Sequence, residues 1–194
     1  PGLDLGAGEK ERGTMETILS SPASRLDIVL GKFGVILTAG ISTALISFAS
    51  LNISVHLFPE IPIDILEIIS SMLGLKMVAL ILTLIIPIAV FFSAAILMLS
   101  IYARSFKEAQ SIVTPLNIVI IIPAAIGMMP GMELNTITAL VPILNVSLAT
   151  KEMLSGSTDW FLLTEVYSSL FVLAGLSLWF CVKWFNREDI IFRY

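Results

Sequence analysis

The fold class this sequence predicts is all-α, a polytopic transmembrane helical bundle, and three observations predict it. Hydrophobic residues make up 57% of the 194 and charged residues only 13%, against roughly 45–50% and about 25% in soluble domains. Four long runs lack formal charge or nearly so, and each can cross a hydrocarbon core of about 30 Å as a helix. The charges, net −4, cluster between those runs, so their placement carries more than their sum. Successive apolar runs of this length are rare in water-soluble folds. A single cysteine, Cys181, excludes an intramolecular disulfide. The chain opens at Pro1 with no methionine and no signal-peptide pattern, and reads as the C-terminal portion of a longer polypeptide.

In chain order, residues 1–24 form a charged cytoplasmic segment and residues 25–194 the membrane domain. Within "GEKERGTMETILSSP", Gly13 and Thr14 supply a break and a hydroxyl N-cap candidate, and the residues that follow give a short helix. It should end near Ser21, because the residue before Pro22 avoids the α region. Glu9, Lys10, Glu11 and Arg12 lead into this helix, and Met15, Ile18 and Leu19 form its apolar side. A helix this short does not hold in water alone, so something must pack on that side. Anchoring to headgroups favours Lys and Arg, yet Glu9, Glu11 and Glu16 outnumber Lys10 and Arg12, which points to a protein partner. Ser24 caps the next helix, with Asp27 completing a weaker capping box.

The spans are placed at about 33–58, 77–103, 109–132 and 160–182, the last holding Glu165 as its one formal charge. In the second, about fifteen Leu, Ile, Val and Phe outweigh Pro87 and the few hydroxyls. Between the first two spans, Glu60, Asp64, Glu67 and Ser71 form one helical stripe with Ile65, Ile68, Ile69 and Met72 opposite. That pattern predicts an amphipathic helix over 60–75 on the outer membrane surface, its acidic stripe a solvated face. A fifth apolar segment, 134–150, is short and interrupted by Asn135, Pro142 and Asn145. With four spans and a cytoplasmic N-terminus, nine of the eleven Lys and Arg fall inside; a fifth crossing leaves seven. The first topology is preferred, with 134–150 a re-entrant broken helix pair whose irregular backbone must be buried in protein or face a wet cavity. No repeat or low-complexity tract is found.

The stretch "DLGAGEKERGTMETILSSPASRLDIVLGKF", Asp4 to Phe33, closely resembles the cytoplasmic connection of type-two ABC exporter permeases, in the branch named after the sodium-extrusion permease NatB. "PILNVSLATKEMLSG" and "WFNREDIIFRY" resemble that family too. The resemblance implies that Glu9, Lys10, Glu11, Arg12, Gly13, Thr14, Met15, Glu16, Ile18 and Leu19 belong to a coupling helix that docks into a cleft of an ATP-binding subunit. Met15 stands where the family usually carries leucine, a volume-conserving change. Further implications are a second permease copy or half, a multi-pass location in the cell (inner) membrane with both ends of this chain cytoplasmic, and ATP and Mg held by the partner subunit rather than here. In that architecture this chain would supply spans three to six.

No catalytic constellation is present. "LGK" at 30–32 fails as a phosphate loop, since Leu26 stands where a glycine is needed and Phe33 where Ser or Thr should bind magnesium. His56 and Cys181 lack metal-ligand spacing, so no metal site is predicted. No cofactor in this chain and no nucleic-acid partner are implied. The polar residues at membrane depth are the translocation candidates: Asn117, Thr138, Asn145 and Glu165. For Asn117 and Asn145 the commoner reading is helix-to-helix hydrogen bonding, and for Glu165 a snorkelling carboxylate. If sodium passes, Glu165, Asn145 and Thr138 offer the oxygen ligands a hard cation wants. The rival functions are export of a drug, lipid or peptide, and a membrane scaffold without transport.

Overall fold

The computed structural model describes residues 2–57, 74–157 and 159–185. A π-helical turn at Asp4–Gly8 leads into α1 (Glu9–Glu11) and α2 (Thr14–Leu19). The long helices are α3 (Arg25–Leu57), α4 (Leu75–Tyr102), α5 (Phe106–Met128) and α8 (Trp160–Phe185), with α6 (Thr136–Ala139) and α7 (Leu144–Ser155) between the last two. No strand occurs among the described residues, and α3, α4, α5 and α8 are each long and apolar enough to span a membrane. The expected amphipathic helix over 60–75 falls, but for its last two residues, outside the described ones.

Each helix begins where its chemistry allows. The Ser24 hydroxyl accepts from the Asp27 backbone N–H at 3.2 Å and donates to the Asp27 carboxylate at 2.6 Å, so α3 starts at Arg25 and runs unbroken into the apolar stretch. α5 starts at Phe106, three residues ahead of the expected 109, because Ser105 caps it by accepting from Glu108 N–H at 3.3 Å. It stops at Met128 rather than 132, since Pro130 and the left-handed Gly131 (φ 83°) cannot continue it. α4 carries Pro87 in its interior, at a fully buried position.

Helix α4 is central, packing most extensively against α8 and also against α3 and α5. The chain direction gives the bundle a basal end, where the opening segment lies, and a distal end, where α6 and α7 lie. The basal core gathers Met15, Val29, Ile36, Leu97, Ile101 and Phe185. The distal core gathers Leu84, Leu144, Leu148, Met153, Val166 and Leu170. The segment expected as a broken pair is two helices, α6 and α7, separated by Leu140–Ile143. Ile143 sits there at φ 72°, a left-handed conformation that costs a β-branched residue dearly.

Candidate coupling site at the base of the bundle

The opening segment is fastened to three long helices by polar contacts. Its π-helical turn lies against α4: the Ser100 hydroxyl accepts from Ala7 N–H at 2.9 Å and donates to the Leu3 carbonyl at 2.8 Å. A side chain at Gly6 would place its Cβ 2.8 Å from the Ser100 carbonyl carbon, so this approach requires glycine. Lys10, buried, donates to the Ile101 carbonyl near the C-terminal end of α4, where orphan carbonyls and the helix dipole favour a cation. Lys32 of α3, also buried, is ion-paired with Glu9 and donates to the Leu5 carbonyl at 2.6 Å. Glu11 accepts from Phe106 N–H at 2.8 Å, placing a carboxylate on an orphan donor at the start of α5.

The remaining charges are exposed. Arg12 bonds Asp4 at 2.8 Å with both side chains about half exposed (55% and 53%), and the guanidinium holds the Asp4 carboxyl below its ordinary range. Gly13 turns the chain through φ 70°, which separates α1 from α2 and needs a residue without a Cβ. Thr14 donates to the Glu9 carbonyl at 3.2 Å.

One expectation is corrected. Met15, expected on an apolar side that needs a partner, is 2% exposed and packs inside the chain's own basal core. Its unbranched thioether reaches the gap between α3, α4 and α8 and lies 3.9 Å from the Lys32 ammonium. Burial worth about 1.5–3 kcal/mol is thus obtained without any partner. Glu9 and Lys10 likewise turn inward. Ile18 is half-buried, and the Leu19 side chain lies outside what is described. What faces outward is Gly13, Thr14, Glu16, Thr17 and Ser20.

The translocation candidates divide. Asn117 is exposed on α5 beside Ile118 and Val119, away from the others. Thr138 serves the capping box of α6, its hydroxyl accepting from Asn135 N–H at 2.8 Å while the Asn135 side chain accepts from Ile137 and Thr138 N–H at 3.0 Å. Asn145 is fully buried; its amide donates to the Ala139 carbonyl at 2.9 Å and the Ser169 hydroxyl at 3.0 Å. Among the described residues its Oδ1 has no donor, and neither has the buried Oε2 of Glu165, one turn before Ser169 on α8. Thus α6, α7 and α8 bring Asn145 and Ser169 together on the Ala139 carbonyl, with Thr138 next to Ala139 in sequence and Glu165 one turn before Ser169, while Asn117 stays apart. Sequence reasoning missed Lys32, Ser100 and Ser169. Lys32 gave one signal, a lysine seven residues past the Arg25 helix start, where only a buried acid would justify it. No group of three His, Cys, Asp or Glu able to hold a metal occurs among the described residues.

Residues 2–190 match the family of ABC-2 family transporter proteins, nearly the whole chain. The chain belongs to the ABC-2 family. The resemblance read from Asp4–Phe33 is borne out by this match, and the ABC-2 chain is a multi-pass membrane protein and an ABC transporter membrane subunit. It is similar to the ABC transporter permease protein NatB of Bacillus subtilis (strain 168), 27% identical over 182 residues. That similarity covers 90% of this ABC-2 chain and 45% of the relative, so the chain spans less than half the length of the curated relative it matches. No solved structure gives a significant match to it.

Proposed function

We propose that this chain is the moving part of an ATP-driven exporter, pulled by a separate ATP-binding subunit that grips the outward side of α2. The observation that supports this is the basal joint: one segment, Leu3 to Met15, is bonded to α3 through Glu9, to α4 through Lys10 and Ala7, and to α5 through Glu11. A displacement at α2 therefore acts on three long helices together. Gly13, Thr14, Glu16, Thr17 and Ser20 form the grip, and Glu9, Lys10 and Met15 form the joint behind it. The partner holds ATP and Mg; the residues of this chain supply the lever. The count of nine Lys and Arg against two supports a cytoplasmic side for both ends of this chain, where such a partner works. A second permease copy or half would cover the long helices α3 and α5, whose most apolar stretches are almost wholly unburied within the described part of this chain.

The finer reading is sodium extrusion. It is supported by the name of the branch and by two buried oxygens, Asn145 Oδ1 and Glu165 Oε2, that lack a donor among the described residues. Export of a drug, lipid or peptide is the alternative, and flux of sodium against apolar compounds with the intact transporter and its ATPase separates them. A non-transporting scaffold is the reading from another class. Thr17→Arg, on the outward side, tests the grip by co-purification of the ATP-binding subunit. Association should fall at least about tenfold, roughly 1.4 kcal/mol, with the fold intact; unchanged association would remove α2 from the interface.

A further inference from the structure

The distal end carries a second feature that the lever does not use. Where α5 ends at Met128 and α8 begins at Trp160, a cavity of about 610 Å³ opens between α5 and α7, walled by Gly127, Met128, Ser147, Thr150 and Leu154. Its volume is that of a ligand site, and its lining is largely apolar. A second cavity of about 330 Å³ lies alongside, walled by Glu133, Glu152 and Leu134. Lys151 and Ser155 line both. The Lys151 ammonium is held at this shared wall by donating to the Met132 carbonyl at 3.1 Å and the Met129 carbonyl at 3.4 Å.

An apolar trough, a fixed cation and a pair of carboxylates therefore follow one another in that order. The ends of two spans set their depth at the level of lipid headgroups. From this order we propose that the two cavities together bind one zwitterionic aminophospholipid, its acyl chain between α5 and α7, its phosphate on Lys151 and its ammonium between Glu133 and Glu152. Each charged part meets its complement through charge-assisted hydrogen bonds, while an anionic headgroup would set its free charge against the two carboxylates. Burial raises the Glu152 carboxyl above its ordinary range, with Asp159 and Glu133 adding to that against a Leu134 backbone bond.

The test uses the purified protein in nanodiscs of phosphatidylglycerol doped with phosphatidylethanolamine or phosphatidylcholine, with retained lipid counted by native mass spectrometry. Phosphatidylethanolamine should be retained roughly tenfold over phosphatidylglycerol, and over phosphatidylcholine, whose quaternary nitrogen cannot donate. Glu152→Gln should bring the first ratio close to one without changing the fold. Thr150→Trp, filling the trough, should reduce retention of every lipid. Equal retention of the lipids by the unmodified protein overturns the proposal, as does a ratio untouched by Glu152→Gln. If Thr150→Trp splits a dimer and leaves the lipid count unchanged, a second copy occupies the trough and the lipid does not. Should Thr150→Trp not fold, the Glu152→Gln ratio decides alone.

Discussion

The two ends of the bundle treat buried polarity in opposite ways. At the base, the buried groups Lys10, Lys32 and Ser100 each have a partner across elements, so the opening segment is tied to its neighbours at every point where water is excluded. At the distal end, Asn145 and Glu165 each keep one buried oxygen without a donor among the described residues. Satisfied networks at low dielectric rigidify, whereas unsatisfied acceptors cost free energy until something donates to them or coordinates them. The difference fits the proposed function, in which the base transmits and the distal end recognises.

The strongest way to break the contrast is Glu9→Ala. It leaves the Lys32 ammonium buried without its carboxylate, and should cost about 3–5 kcal/mol in detergent unfolding while α2 keeps its outward side. The paired change Glu9→Leu with Lys32→Met should recover most of that loss, because an apolar pair of similar size needs no compensation. A double variant as unstable as the single one would mean the pair is not what ties the segment to α3.

Asn145→Leu is the matching probe at the distal end. Its amide gives up two hydrogen bonds, but the orphan oxygen goes as well, so the net change in unfolding should stay within about 1–1.5 kcal/mol. Transport should suffer more than stability. A stability loss as large as that of Glu9→Ala would erase the distinction between the two ends.

The smallest effect belongs to Arg12→Ala. Arg12 and Asp4 are exposed, and pairs of that kind contribute little and are screened by salt. The Asp4 carboxyl lies below its ordinary range, so whatever the pair adds is present above that range and is lost as pH falls through the lowered value. Unfolding of Arg12→Ala should match that of the parent at neutral pH in moderate salt, and any gap seen in low salt should close on acidification.

How much of this was legible varies with range along the chain. The spans were plain because runs of apolar residues need no partner to declare themselves, and Pro142 with the lysine and arginine distribution marked the broken pair. The earlier start of α5 was also written locally, in the Ser105 N-cap hydroxyl and in Glu108, whose carboxylate accepts from Arg104 N–H. The basal joint was not, since Glu9 meets Lys32 across 23 positions and Lys10 meets Ile101 across 91. Periodicity marked Met15 as apolar and could not say that its own bundle, rather than another protein, lay on that side. The burial of Asn145 was equally hidden, because its environment is assembled by α6 and α8 from both directions along the chain.

Ile143 shows what the corner between α6 and α7 demands of its surroundings. A branched side chain in a backbone shape suited to glycine behaves as a compressed spring, holding on the order of 1–3 kcal/mol. Leu144 and Asn145, clamped immediately after it, keep that spring closed. Removing the Asn145 bond to the Ala139 carbonyl should therefore let the corner relax into a backbone shape that a branched residue tolerates.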